Sequence, residues 1–134
     1  MTLALIADDA KKELMVQICI AYKNILGKHR LMATDGTGQR VREVTGLEVE
    51  RLLGGKFGGT DQIAAAIACK GIDALFHFRG PVLTQTVHGV PDHVAQDLLR
   101  LCDMHFVPVA TNLPTAELII TALERGDLEW RKYI

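Results

Sequence analysis

The chain has no excess of charge of either sign. Its 15 Lys and Arg stand against 16 Asp and Glu in 134 residues, a formal net charge of -1. The basic residues are scattered, apart from short pairs such as Lys11-Lys12 and Arg131-Lys132. A dedicated nucleic-acid binder, which carries a basic face, is therefore not expected. Cysteine is scarce as well. Cys19, Cys69 and Cys102 lie far apart and no C-x-x-C occurs, so they read as buried free thiols of a cytoplasmic protein. Long apolar runs are absent. The opening "MTLALIADD" meets acid after a few residues, and reads as a buried first strand rather than a leader or a membrane span. There is no low-complexity segment and no clear internal repeat.

What is present is a hydrophobic content of 49%, enough for one compact domain over residues 1–134. Leu3 to Ala7 is continuously apolar. Leu14, Met15, Ile18, Cys19, Tyr22 and Ile25 then recur at helical spacing until Gly27. "RLMAT" reads as a second strand, with a turn in "DGTGQ" and a helical turn or two from Arg40 to Val44. "LEVERLL" fits strand or helix equally. A helix is expected from about Asp61 to Lys70, a strand at "DALFHF", an amphipathic helix in "DHVAQDLLRLCDMH", a strand at "FVPVAT" and a last helix from Pro114 to Leu123. The tail is polar with an aromatic end, and Trp130 and Tyr133 suit packing on a neighbouring subunit. Alternating elements with strands apolar throughout imply a doubly wound α/β fold around a parallel sheet.

Ligands in such folds sit at the carboxyl ends of the strands. The residues there are Asp8, Asp9 and Lys12 after the first strand, and Thr34, Asp35, Gly36, Thr37 and Gly38 after the second. Arg79 follows the third, with His88 and Asp92 beyond it. Between the second and third comes "GGKFGGTDQ", residues 54 to 62, where glycine pairs bracket Lys56 and Phe57 and then Thr60, Asp61 and Gln62 open a helix. Amides at a helix start, hydroxyls and one cation are what a phosphate group needs. "TDGTG" with Lys12 offers that set. It also reads as an ordinary glycine turn beside a surface lysine. Asp8, Asp9 and Asp61 also read as acids at the positive ends of helices, Asp9 less so than the others, and Thr60 as a helix cap. His77 reads as a core or interface histidine, and His29 as a solvated one. No metal site is expected from the histidines.

"LALIADDAKK", "LMATDGTG", "VTGLEVERLLGGKFGGTDQI" and "VPVATNLPTAE" resemble the methylglyoxal synthase family in order and spacing. The likeness is close to ungapped from Leu3 to Phe78 and returns from Leu98 to Glu117. It implies a three-layer doubly wound domain with a central, mostly parallel five-stranded sheet. It also implies a homohexamer, a small phosphorylated metabolite as ligand, no cofactor, and a carbon–oxygen lyase acting on phosphates. The family reaction converts dihydroxyacetone phosphate into methylglyoxal and inorganic phosphate. A carboxylate removes a proton next to the carbonyl, and the enediolate then loses phosphate. The implied phosphate-binding residues are Lys12, Thr34, Gly36, Thr37 and Gly55. His88 and Asp92 match the family's "H-D-P-D", with His88 as the acid.

The resemblance also locates departures. The family's "A-H-D" is "ADD" here, so Asp9 matches its aspartate and Asp8 replaces its histidine. Its "A-T-G-T-T-G" is "ATDGTG", which puts Asp35 beside the expected phosphate and glycine where a hydroxyl stood. Its "G-G-D-Q-Q" is "GGTDQ", which sets Thr60 at the usual base and Asp61 one place later. Gly80 replaces a further carboxylate, next to Arg79. The base is then Asp61 or Asp9. Alternatives of another class are a non-catalytic phospho-metabolite sensor, as the same domain type serves in carbamoyl phosphate synthetase, and an enzyme on another phosphorylated or carboxylated substrate. Arg79 and Asp35 would set specificity in the latter.

Overall fold

The structure is a computed structural model that describes residues 1–55, 58–80, 86–87, 90–91 and 93–134. The strands are β1 (Thr2–Ala7), β2 (Arg30–Ala33), β3 (Glu50–Arg51), β4 (Ala74–Phe78), β5 (Thr86–Val87), β6 (Val90–Pro91) and β7 (Val109–Ala110). The helices are α1 (Lys12–Ala21), α2 (Lys23–Leu26), α3 (Asp35–Thr45), α4 (Gly59–Ala68), α5 (His93–Met104) and α6 (Leu113–Arg125), with single 3-10 turns at Asp9–Lys11 and Glu129–Tyr133. A five-stranded parallel sheet has the order β3-β2-β1-β4-β7, and β5 and β6 form a separate antiparallel pair. The expected three-layer α/β architecture is the one observed.

The unbroken apolar run of β1 follows from its central place. Leu3, Leu5 and Ala7 point into one core with Met15, Ile18, Val41, Phe76 and Ile120, which come from α1, α3, β4 and α6. Ala4 and Ile6 point into the other with Ile63, Ile67, Leu98 and Cys102 from α4 and α5. Successive strand residues face opposite sides, so a strand covered on both faces has no polar positions. Each fully buried Leu, Ile or Phe contributes about 1.5–3 kcal/mol of transfer free energy, which sets the register β1 keeps against β2 and β4.

Four sequence expectations change. "DGTGQ" is not a turn: Asp35 starts α3, and Gly36, Thr37 and Gly38 lie inside it. Glycine lowers helix propensity, but Val41 and Thr45 bury one face and hold the helix regardless. "LEVERLL" contributes only the two-residue edge strand β3. Cys19 and Cys102 are buried, but Cys69 is exposed, at the end of α4. Burial pushes the Cys19 thiol up to about 12 and the Cys102 thiol up to about 11. His29 is half-buried rather than solvated, and burial is the main cause that lowers its pKa. In the tail, Arg131 is buried and donates to the Ile72 and Phe106 carbonyls, while Trp130 and Tyr133 stay exposed.

β1 and β4 are neighbours, while β2 and β3 lie to one side of them and β7 to the other. The direction of winding reverses there, and the crevice beyond the β1 and β4 carboxyl ends is where this fold class takes ligands.

Candidate functional site

β1 ends at Ala7, and the Asp8 amide donates to the Phe78 carbonyl at 2.9 Å. The Asp8 carboxylate accepts from the Gly80 amide at 2.7 Å. Asp8 makes no side-chain cap of the following turn; it ties the exits of β1 and β4 together. Asp9 opens that turn and points outward, with its side chain 92% exposed. Lys12, three residues on, donates to its carboxylate at 2.5 Å.

Lys12 also reaches the start of α3. A Cβ placed on Gly36 would lie 2.8 Å from the Lys12 ammonium. The cation therefore rests over the first turn of α3, where the amides of Gly36 and Thr37 have no helical carbonyl one turn back. Thr34 precedes α3 in extended backbone. Its hydroxyl donates to that of Thr37 at 3.4 Å, and both side chains are buried. The Thr37 hydroxyl in turn accepts from the Ala7 amide at 3.3 Å. This pair forms the floor under the α3 start and locks it to the end of β1.

The glycine loop is folded tightly against the same edge. Gly58 has φ +104°, a left-handed conformation that glycine adopts without steric cost. A Cβ on Gly59 would stand 1.8 Å from the Leu53 carbonyl oxygen, so no other residue fits there without moving the backbone. Gln62 accepts from the Leu53 amide at 2.8 Å. Thr60 is half-buried, and its hydroxyl lies 3.6 Å from where a Gly55 side chain would begin. Asp61 is exposed in the first turn of α4. Consecutive helical residues differ by about 100° in direction, so Thr60 and Asp61 present to different surroundings. Arg79 is half-buried just past β4.

Asp35 does not stand as a bare charge. Its carboxylate accepts from the Arg51 guanidinium, at 2.8 Å from Nε and 2.7 Å from Nη2. Sequence reasoning passed over Arg51. The signal was its place at the carboxyl end of a strand, hidden because "LEVERLL" did not declare itself a strand. His88 and Asp92 lie outside the described residues. Among the described residues, no group of three or more His, Cys, Asp or Glu side chains is arranged to hold a metal ion, and no helix is long and apolar enough to cross a membrane.

The site thus brings together Asp9, Lys12, Thr34, Gly36 and Thr37, with Asp8 and Gly80 on one side and Asp35 and Arg51 on the other. Thr60 and Gly55 approach each other in the glycine loop. A cation over a helix start, beside an exposed carboxylate, suits an anion that also has an acidic C–H.

No model of a protein family matches the chain. Individual relatives do. The chain is 54% identical over 134 residues to a methylglyoxal synthase of Caldicellulosiruptor saccharolyticus, covering 100% of this chain and 92% of that one. It is 49% identical over 132 residues to a methylglyoxal synthase of Thermoanaerobacter sp. (strain X514), covering 98% and 97%. Its structure is similar to the crystal structure of methylglyoxal synthase from Elizabethkingia anophelis NUHP1, with a TM-score of 0.79 and 34% identity over 89% of this chain and 76% of that one. The chain belongs to the methylglyoxal synthase family.

Proposed function

We propose that this chain eliminates phosphate from dihydroxyacetone phosphate, giving methylglyoxal and inorganic phosphate. The observation that carries the reading is the position of Lys12, over the first turn of α3 and within 2.5 Å of the Asp9 carboxylate. The substrate phosphate takes the ammonium together with the Gly36 and Thr37 amides, and Thr34 and Gly55 complete the pocket. Asp9 is the carboxylate next to that phosphate. It removes a proton from the hydroxymethyl carbon, and the electron pair moves onto the carbonyl oxygen as an enediolate. The hydroxyl on the deprotonated carbon then gives up its proton, its oxygen becomes the aldehyde carbonyl, and the double bond shifts toward the phosphate-bearing carbon and breaks the bond to the phosphate oxygen. Phosphate leaves with the bonding pair, and the remaining enol takes a proton at carbon to become methylglyoxal. No oxidant or reductant is needed.

Asp9 is favoured over Asp61 because Asp9 touches Lys12, the cation that would take the phosphate, and Asp61 does not. His88 is the candidate proton donor by its match to the family motif, and the homohexamer follows from the same resemblance. Exposed Leu118, Phe106 and Tyr133 favour a surface covered in such an assembly. The test is direct: purified protein with dihydroxyacetone phosphate should yield methylglyoxal and phosphate in equal amounts, above the spontaneous background. A second reading, a phospho-metabolite sensor, is favoured by Thr60 at the family's base position. It requires phosphate or triose phosphate to raise the melting temperature with no product formed.

A further inference from the structure

We propose that Arg51 is a positioning residue for phosphate binding. It holds the Asp35 carboxylate and cancels its charge, so that an acid at the first residue of α3 does not repel the phosphate of the ligand. This rests on the reading that the start of α3 takes a phosphate.

The geometry builds the pair from the strand exits. Arg51 is the last residue of β3 and sits opposite Ala33 of β2 in the parallel register. The Leu52 amide donates to the Ala33 carbonyl at 2.8 Å, and the Asp35 amide to the Leu53 carbonyl at 3.4 Å. The two chain segments therefore leave the sheet side by side, which brings a side chain at 51 against one at 35. A single carboxylate oxygen of Asp35 then accepts from both Nε and Nη2 of Arg51. Only the planar guanidinium offers two such donors from one face. The arginine stem lies close over the helix: a Cβ on Gly38 would stand 2.9 Å from Arg51 Cγ.

The first turn of α3 thus carries two cations with separate duties. Lys12 stands over Gly36, paired with the outlying Asp9. Arg51 stands over Gly38, taken up by Asp35. A carboxylate a few ångströms from a phosphate at a partly exposed site weakens binding by an amount on the order of tenfold. The neighbouring guanidinium removes that penalty. Asp35 with Arg51 is then electrically equivalent to an uncharged residue at the start of α3, and the anion site keeps its sign.

Calorimetric titration of the full chain with inorganic phosphate tests this, on wild type, Arg51→Ala, Asp35→Gly and the double variant. Arg51→Ala should weaken phosphate binding by roughly tenfold, because Asp35 is left uncompensated. The double variant should return to within about twofold of wild type, because the repelling carboxylate is gone too. A merely structural role for Arg51 cannot give that rescue. Unchanged binding in Arg51→Ala overturns the inference. So does a double variant as weak as Arg51→Ala, which would make Arg51 a direct phosphate ligand or a prop of the fold. Wild type that binds phosphate while the variants fail in this way sinks the positioning role alone. Wild type that does not bind phosphate sinks the underlying reading and this inference together.

Discussion

The Lys12 ammonium lies 2.5 Å from the Asp9 carboxylate, and the Asp9 side chain is 92% exposed. An ion pair so open to water is worth little, about 0–1 kcal/mol. A phosphate bearing up to two charges and seated on the helix amides, as proposed, would outcompete it. On the proposed reading Lys12 is shared: with Asp9 before the ligand arrives, with phosphate afterwards. That exchange would release Asp9 beside the bound substrate when a base is needed. Lys12→Ala should weaken inorganic phosphate binding by on the order of tenfold or more. Asp9→Asn should leave it unchanged or slightly tighter, since the competing carboxylate is removed. Calorimetry on the two variants checks this, and weaker binding in Asp9→Asn would contradict the exchange.

Asp8 occupies a family histidine position, yet its carboxylate accepts from the Gly80 amide. Asp8→Ala should cost stability, about 0.5–1.5 kcal/mol for a bond that water can partly replace. Asp8→Asn keeps an acceptor oxygen and should lose less. Thermal unfolding of both variants measures the difference, and equal melting temperatures for wild type and Asp8→Ala would show that the tie between β1 and β4 contributes nothing.

Gly59 has no room for a side chain, with Leu53 oxygen 1.8 Å from an ideal Cβ. Gly59→Ala should destabilise by roughly 3 kcal/mol or shift the loop, a fall of about 10 °C in melting temperature for a chain of this length. Gly55→Ala meets only Thr60 Oγ1 at 3.6 Å, an ordinary contact, and should stay within about 1 kcal/mol of wild type. Melting curves of the pair separate the close approach from general glycine effects.

The thiols should differ sharply. Burial holds Cys19 near 12 and Cys102 near 11, so both stay protonated over the range in which a free thiol ionises, and both are shielded. Cys69 is exposed. Iodoacetamide at pH 8 should label Cys69 alone in the folded chain and all three cysteines after denaturation. Labelling of Cys19 in the native protein, read by peptide mass, would contradict its burial.

The fold was legible where burial decides local structure. β1 is apolar on both faces and β4 is apolar apart from the buried His77, and helices alternate with the strands, so the parallel sheet could be read directly. α3 was not legible at its start. Gly36 and Gly38 read as turn residues, but the packing of Val41 and the lock of Thr37 on β1 override their propensity. β3 escaped notice because two residues cannot show a period. The placement of the candidate site was half legible. That Lys12, Thr34 and Thr37 gather at the start of α3 follows from strand ends and motif. Arg51 does not, because its role depends on Asp35, a neighbour across the sheet edge rather than along the chain. Under the proposed phosphate reading, the pairing accounts for an acid at position 35. A lone acid beside a phosphate is unfavourable; an acid paired to an arginine is not.

The central claim is that Asp9, and not Asp61, removes the proton. The most direct measurement is kcat for methylglyoxal formation from dihydroxyacetone phosphate in Asp9→Asn and Asp61→Asn side by side. The account predicts a loss of roughly 10²–10⁴-fold in Asp9→Asn and a change within about threefold in Asp61→Asn, whose carboxylate is exposed in the first turn of α4. A large loss in Asp61→Asn with Asp9→Asn near wild type would contradict it and place the base one residue past the family position.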